Sequence, residues 1–435
     1  MLEKLFKLKD NNTNIKNELI GGIVIFLSMN YILAVEPSIL GDAGMDKGAV
    51  FVATALASAI STIFMAFAAN LPFALAPSMG LNAFFTYTVV LGMGHSWQMA
   101  LTAIFLEGLI FIGLTYGNVR EKLVKSIPTN LKYGISVGIG LFITFIGFQR
   151  SGIVINNNAT LVGLGDMTDK SVILSIIGIL LIGILMMKKV RGAFFIEIIL
   201  ITLIGIPLGI TQVPDSLNLG IPSIAPTFLK FDWQWIHSSK GIIDMIVIVF
   251  TFLFMDLYNT LGTFIGVSTK AKLIDKEGNM KNMKPALLAD AVGTTVGGML
   301  GVSTITTYVE SAAGIGEGSK TGLTSLVVGI LFLLSIVFSP YFLMIPSAAI
   351  TPVFIILGVM MFQEVKFIEL NDMTEAIPAF ITMLVMPLTY SISNGMFLGL
   401  ISYTILKLCC GQAKKLNITT IVMTILFILY YIFVR

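Results

Sequence analysis

Apolar runs close to bilayer length recur along the whole chain, separated by short polar connectors. They fall at about residues 19–35, 49–69, 73–91, 97–116, 131–149, 171–187, 193–211, 241–266, 285–301, 304–316, 321–345, 347–362, 376–391, 394–410 and 417–434. About 20 apolar residues at 1.5 Å per residue cross a hydrocarbon layer of about 30 Å, so the longer runs read as spans and several shorter ones do not cross alone. Hydrocarbon offers no partner to backbone amides, which leaves helices or a closed barrel, and the alternating period of a membrane barrel is absent. The pattern predicts an all-α polytopic membrane protein whose environment is the lipid bilayer.

Composition supports this and narrows the chemistry. Of 435 residues, 56% are hydrophobic and 12% charged, about half the charged fraction of ordinary soluble domains. A formal charge of +3, with basic residues scattered over short loops, excludes a nucleic-acid binder. Cys409 and Cys410 are adjacent, and His95 and His237 fall in predicted loops, so no disulfide framework, metal site or cofactor is expected. Residues 1–18 are polar and lysine-bearing, and the run that follows is too long for a cleaved signal peptide. The excess of Lys and Arg sets the orientation. With Lys4, Lys7, Lys9 and Lys16 in the cytoplasm, Arg120, Lys122 and Lys125, then Lys188, Lys189 and Arg191, then Lys270, Lys272, Lys276, Lys281 and Lys284 fall on the same side of a cell membrane. Glu36, Asp42, Asp46 and the loop from Thr211 to Lys240, with Trp233 and Trp235, are expected outside. The runs around Ser391 to Asn394 read either as two crossings or as one bent pair, so the side of the C-terminus stays open.

Two segments are broken alike. The third contains Ala76-Pro77-Ser78-Met79-Gly80-Leu81-Asn82-Ala83, where Pro77 removes an amide donor and disfavours helix at Ala76, predicting an extended stretch followed by a half-helix. The tenth, Gly301 to Gly314, passes from β-branched residues and hydroxyls to Ser, Ala and Gly, which again predicts an extended stretch leading into a short helix. Non-helical backbone at membrane depth survives only where protein or a water-filled cavity satisfies it. Two such breaks in corresponding halves point to a transporter's midplane site.

Acids inside apolar runs cost about 2.5–3.5 kcal/mol even on the lenient insertion scale, so each needs a partner, a polar cavity or a proton. Six fall there: Glu107, Glu197, Asp244, Asp256, Asp290 and Glu310. Glu197, Asp244 and Asp290 read as structural, and Glu107 reads either way. Asp256 heads a predicted polar face with Asn259, Thr260 and Thr263. Glu310 opens the half-helix of the broken tenth segment, where free amides favour a polar ligand.

These residues resemble the azaguanine-type purine permeases of the nucleobase-ascorbate transporter superfamily. The resemblance rests on Ala76 to Ala83, on Phe254-Met255-Asp256-Leu257-Tyr258-Asn259-Thr260-Leu261-Gly262-Thr263, and on Gly301 to Gly314, and it runs over nearly the whole chain. It implies the uracil-permease fold: fourteen transmembrane segments in two inverted repeats of seven, with short strands in segments three and ten. The core domain would comprise 19–116 and 241–345, and the gate domain 131–211 and 347–435. It further implies that Asn82, Asp256 and Glu310 serve binding and transport, with Gly80 beside the site. Where the family often has a second Asp, this chain has Asn259, which removes a titrating group there. The expected function is uptake of a neutral purine nucleobase such as hypoxanthine, guanine or adenine, coupled to inward proton movement. Glu310 would hold the base with backbone groups from Tyr308 to Ser311 and near Phe84, Phe84 or Tyr308 would stack on it, and Asp256 would carry the proton. A homodimer is compatible with the sequence. A half-helix architecture would also suit an inorganic-anion transporter, against which the two acids at the site argue. A membrane-embedded enzyme lacks any nucleophile–base or metal motif.

Overall fold

The computed structural model describes residues 2–117, 128–213, 220–270 and 282–433. Arg120, Lys122, Lys125, Lys272, Lys276 and Lys281, used above for orientation, lie outside the described residues. Eight helices among those described are long and apolar enough to cross a bilayer, and Met79–Gly92, Ala193–Gly205 and Met373–Leu388 are shorter apolar helices.

The two broken segments meet. Leu75–Pro77 and Ile305–Thr307 form a two-stranded antiparallel pair, with Leu75 opposite Thr307 and Pro77 opposite Ile305. Each strand leads into a short helix, Met79–Ala83 and Ser311–Gly316 respectively. After Met79–Ala83 the chain widens into a π-type helix, Phe84–Gly92. Side chains and flanking backbone satisfy the backbone that the breaks expose. The Thr62 hydroxyl donates to the Leu75 carbonyl (3.1 Å) and accepts from the Leu75 amide (2.9 Å), while the Thr294 hydroxyl donates to the Ile305 carbonyl (3.1 Å). Ser78 N–H donates to the Thr304 carbonyl (3.0 Å), and Tyr308 N–H to the Ala74 carbonyl (2.9 Å). At the entrance to the second strand Gly301 adopts φ +104°, and a Cβ there would collide with Thr227, so only glycine turns the chain at this point.

The helices pack as two groups. Ile15–Met29 and Lys47–Ala68 lie against Gly322–Ser335, and Met283–Leu300 fills the space between Lys47–Ala68 and Trp97–Tyr116. In the second group Thr129–Arg150 packs on Ser347–Phe362 and Met373–Leu388, and Lys170–Met187 and Ala193–Gly205 pack on Ser347–Phe362. Small residues allow these approaches, as is usual between helices in lipid. A Cβ on Gly138 would strike the Met386 sulfur at 2.6 Å, and one on Gly140 the Gly358 carbonyl at 2.9 Å.

Two sequence expectations change here. The first span does not stop before Glu36: helix Ile15–Met29 continues, after a joint at Asn30 and Tyr31, as Ile32–Asp42, carrying Glu36 and Pro37 inside it. Glu36, expected outside, is fully buried. The ambiguous pair of C-terminal runs forms two helices, Met373–Leu388 and Ile392–Cys409, packed on each other across a tight turn with Tyr390 at φ +52°.

Candidate functional site

Between the two helix groups lies a cavity of about 1050 Å³, at the upper edge of the range usual for small-molecule sites. Its deep wall is the two breaks: Ser78 to Leu81 on one side and Thr306 to Glu310 on the other. It reaches Thr129, Lys132, Gln363 and Glu364 at helix ends, and Met186 beside the Lys188–Arg191 connector. Helix Ser239–Lys270 contributes Met255, Asn259, Thr263 and Val267, a row at four-residue spacing.

Of the predicted site residues, Gly80, Tyr308 and Glu310 line this cavity. Glu310 is partly exposed, and its Oε1 accepts a 2.8 Å hydrogen bond from the Tyr31 hydroxyl. Tyr308 is held from behind, its hydroxyl donating to the Pro77 carbonyl at 2.5 Å. Asn259 lies in the cavity wall and its amide donates to the Ser78 hydroxyl (2.6 Å).

Asn82, Asp256, Phe84 and Ser311 sit behind the wall. Asn82 is fully buried; its amide nitrogen donates to Glu36 Oε2, and its oxygen accepts from the Ser303 hydroxyl. It therefore ties segment three to segment ten, with both polar atoms engaged. Asp256 is fully buried and accepts from the Thr260 hydroxyl (2.8 Å), which also lies 3.1 Å from Asp290 Oδ1. The polar face expected on this helix thus divides. At 3.6 residues per turn Asn259 and Thr263 form one ridge toward the cavity, while Asp256 and Thr260 form the next, toward helix Met283–Leu300. Phe84, expected near the base, is buried edge-on against Phe252 with ring centroids 4.8 Å apart. Ser311 accepts from the Ala74 amide (3.0 Å), closing the strand pair rather than facing the cavity.

Two acids that the sequence reading misjudged or left open belong to the frame of the site. Glu36 accepts from Asn82 and from the Ser303 amide (3.4 Å), and Glu107 accepts from the Thr304 hydroxyl (2.6 Å). Each clamps one residue of the approach to strand Ile305–Thr307. Local sequence carried little signal for Glu36: Ile32 to Val35 before it is apolar, but Pro37 and Ser38 follow it.

At the end of helix Thr129–Arg150 remote from the Lys132 mouth, Arg150 bonds Asp42 (3.1 Å), Ser38 (2.5 Å) and the Tyr87 hydroxyl (3.4 Å). Tyr87 donates to Asp42 (2.8 Å), and Tyr87, Phe142 and Tyr390 pack edge to face around it. Asp42, Ser38 and Tyr87 belong to the first helix group, Arg150, Phe142 and Tyr390 to the second. The cavity lining runs to the Thr129, Lys132, Gln363 and Glu364 end of the bundle, and Arg150, Asp42, Ser38 and Tyr87 are not part of it.

The chain is similar over 89% of its length to the transmembrane domain of a cyanobacterial bicarbonate transporter, BicA, covering 97% of that chain with TM-score 0.63 at 16% identity, a likeness of fold. It is 46% identical over 99% of its length to a putative permease of Methanocaldococcus jannaschii, covering 98% of that protein. It is 42% identical to the guanine/hypoxanthine permease PbuG of Bacillus subtilis, with both chains covered completely. The adenine permease AdeP of Escherichia coli is 40% identical, covering 100% of this chain and 96% of its own. With residues 16–398 matched by the model of the Permease family, the chain belongs to that family of multi-pass membrane transporters and is not an enzyme.

Proposed function

We propose that this protein is a purine nucleobase:proton symporter that imports hypoxanthine, guanine or adenine across the cell membrane by alternating access. The observation that carries the reading is Glu310: a partly exposed carboxylate beside the two breaks, in a cavity whose wall near it offers the hydroxyls of Ser78, Thr306, Thr307 and Tyr308, the Asn259 amide and the rings of Tyr31 and Tyr308, with Lys132 and Glu364 at the far end. A purine edge presents ring N–H donors beside N or O acceptors. A carboxylate accepts from the first, and Asn259 with Ser78 meets the second. Tyr308, fixed by Pro77, offers a ring face. The names of the relatives, adenine and guanine/hypoxanthine permeases at 40% and 42% identity, support the substrate class.

Asp256 is the proposed proton carrier, and its place behind the wall, one ridge from Asn259, supports this by separating proton from base. The two helix groups correspond to the core domain (19–116 and 241–345) and the gate domain (131–211 and 347–435) of a fourteen-segment inverted repeat. The N-terminal segment lies in the cytoplasm. In its favour, Arg191 pairs with Glu317 (2.5 Å) and Thr13 bonds the Gly318 carbonyl (3.1 Å), so the basic Lys188–Arg191 connector and the N-terminus share one side. On this reading the cavity, which reaches Met186 on that side, belongs to the inward-open state, with Arg150 and Asp42 closing the outside.

The test is equilibrium binding of labelled hypoxanthine and adenine to detergent-solubilised protein. Glu310→Gln abolishes binding of both while the protein stays folded; unchanged affinity in this variant refutes the base-binding role. Labelled bicarbonate or sulfate competing with hypoxanthine would favour an anion carrier on the same fold.

A further inference from the structure

Tyr31 and Glu36 were absent from the residues expected at the site, yet both reach the broken segments from the first span. Tyr31 stands at the joint between Ile15–Met29 and Ile32–Asp42, where the amides of Ala34 and Val35 both donate to its carbonyl at 3.0 Å. That tightened turn places the phenol in the cavity wall. Among the described residues its hydroxyl is the one side-chain hydrogen-bond partner of Glu310. Its ring is braced on the other flank by Phe194 of the second helix group, with centroids 5.1 Å apart, and faces Tyr308 at 6.5 Å. A glutamate's terminal torsion is broad and soft, so a carboxylate without a fixed donor sweeps a range of directions. With Oε1 tethered to a braced phenol, the carboxylate of this cavity-lining residue is held in one orientation.

We propose that Tyr31 is a positioning residue for substrate binding, acting by orienting the Glu310 carboxylate. The inference rests on the reading of Glu310 as the base-binding group. Glu36, five residues further on, does the equivalent work for Asn82 and Ser303, so one span sets the geometry of both breaks. A hydroxyl donor on a carboxylate matters to binding more than to the movement of the helix groups. The expected effect on transport is therefore in affinity rather than in maximal rate.

The variant is Tyr31→Phe, which keeps the ring, its brace on Phe194 and its volume. Measured quantities are the dissociation constant for labelled hypoxanthine, the KM and maximal rate of uptake in proteoliposomes, and the melting temperature of the substrate-free protein. A rise of about three- to tenfold in both Kd and KM is expected, the scale of re-ordering one freed side chain on binding, with maximal rate unchanged; the melting temperature of the substrate-free protein falls modestly, because the bond is already made there. Tyr31→Leu, lacking the ring as well, raises Kd further. A Kd within twofold of the parent in Tyr31→Phe, or a loss confined to maximal rate or melting temperature, overturns the proposal. The two readings fail separately. Full-affinity binding by Glu310→Gln defeats the base-binding role itself, whereas loss in Glu310→Gln with an unaffected Tyr31→Phe defeats only the positioning role.

Discussion

If the outer end is closed chiefly by Arg150, then removing its charge should let the site open outward without any change to the site. At 3.1 Å the Arg150–Asp42 attraction amounts to about 5 kcal/mol at an effective dielectric near 20. The two side chains are 16% and 34% exposed, so screening and desolvation reduce the net worth to roughly 1 kcal/mol. The bond from Arg150 to Ser38 adds about 1 kcal/mol, giving a total of about 2 kcal/mol. That energy is available only while the two helix groups meet at this end, and 1.4 kcal/mol is tenfold. Arg150→Gln should therefore shift the balance of states toward outward-open by about thirtyfold. The assay places a single cysteine at Val309, an exposed residue of the cavity wall, in a background with Cys409 and Cys410 replaced by serine. Labelling by an impermeant maleimide is then compared in right-side-out and inside-out vesicles. The parent should label from the cytoplasmic face; Arg150→Gln and Asp42→Asn should each speed labelling from the outer face and slow it from the inner. Unchanged labelling from both faces in both variants refutes the assignment of this cluster as the closing contact.

Asp256→Asn keeps the hydrogen bond from Thr260 but carries no exchangeable charge. It should retain hypoxanthine binding and counterflow while losing accumulation driven by a proton gradient in proteoliposomes, and persistent gradient-driven accumulation would remove Asp256 from the coupling role. Phe84→Ala leaves a cavity against Phe252 and should cost about 3–5 kcal/mol of stability, seen as a lower melting temperature, with base affinity in the folded fraction unchanged. An affinity loss without destabilisation would return Phe84 to the binding site.

What was legible in the chain was whatever departs from the rule of its surroundings. Pro77 and Gly80 inside an apolar run, and the β-branched stretch before Glu310, violate helix chemistry locally, so the breaks could be read before any fold was known. Their pairing as Leu75–Pro77 against Ile305–Thr307 spans some 230 positions, and no local rule specifies such a partner. Polar periodicity failed at finer scale for a geometric reason. Residues at three- and four-residue spacing share a helix face about 100° wide, and two ridges on that face can look at different neighbours, as Asn259 and Asp256 do.

Glu36 was misplaced for a different reason. An acid followed by proline near the end of an apolar run has the local signature of a span boundary, and only the amide of Asn82 and the backbone of Ser303, brought from elsewhere, make its burial tolerable. The same holds for Glu107 with Thr304. These contacts join a continuous helix to the interrupted segments. Such acids are costly in lipid and stabilise nothing by themselves; their partners are the polar groups that non-helical backbone brings to membrane depth. A membrane chain that breaks two helices to make a site needs acids on its unbroken ones to hold the breaks in register. A buried acid without a motif of its own, lying in a span adjacent to a broken one, is therefore better read as part of that site's frame than as a misplaced loop residue.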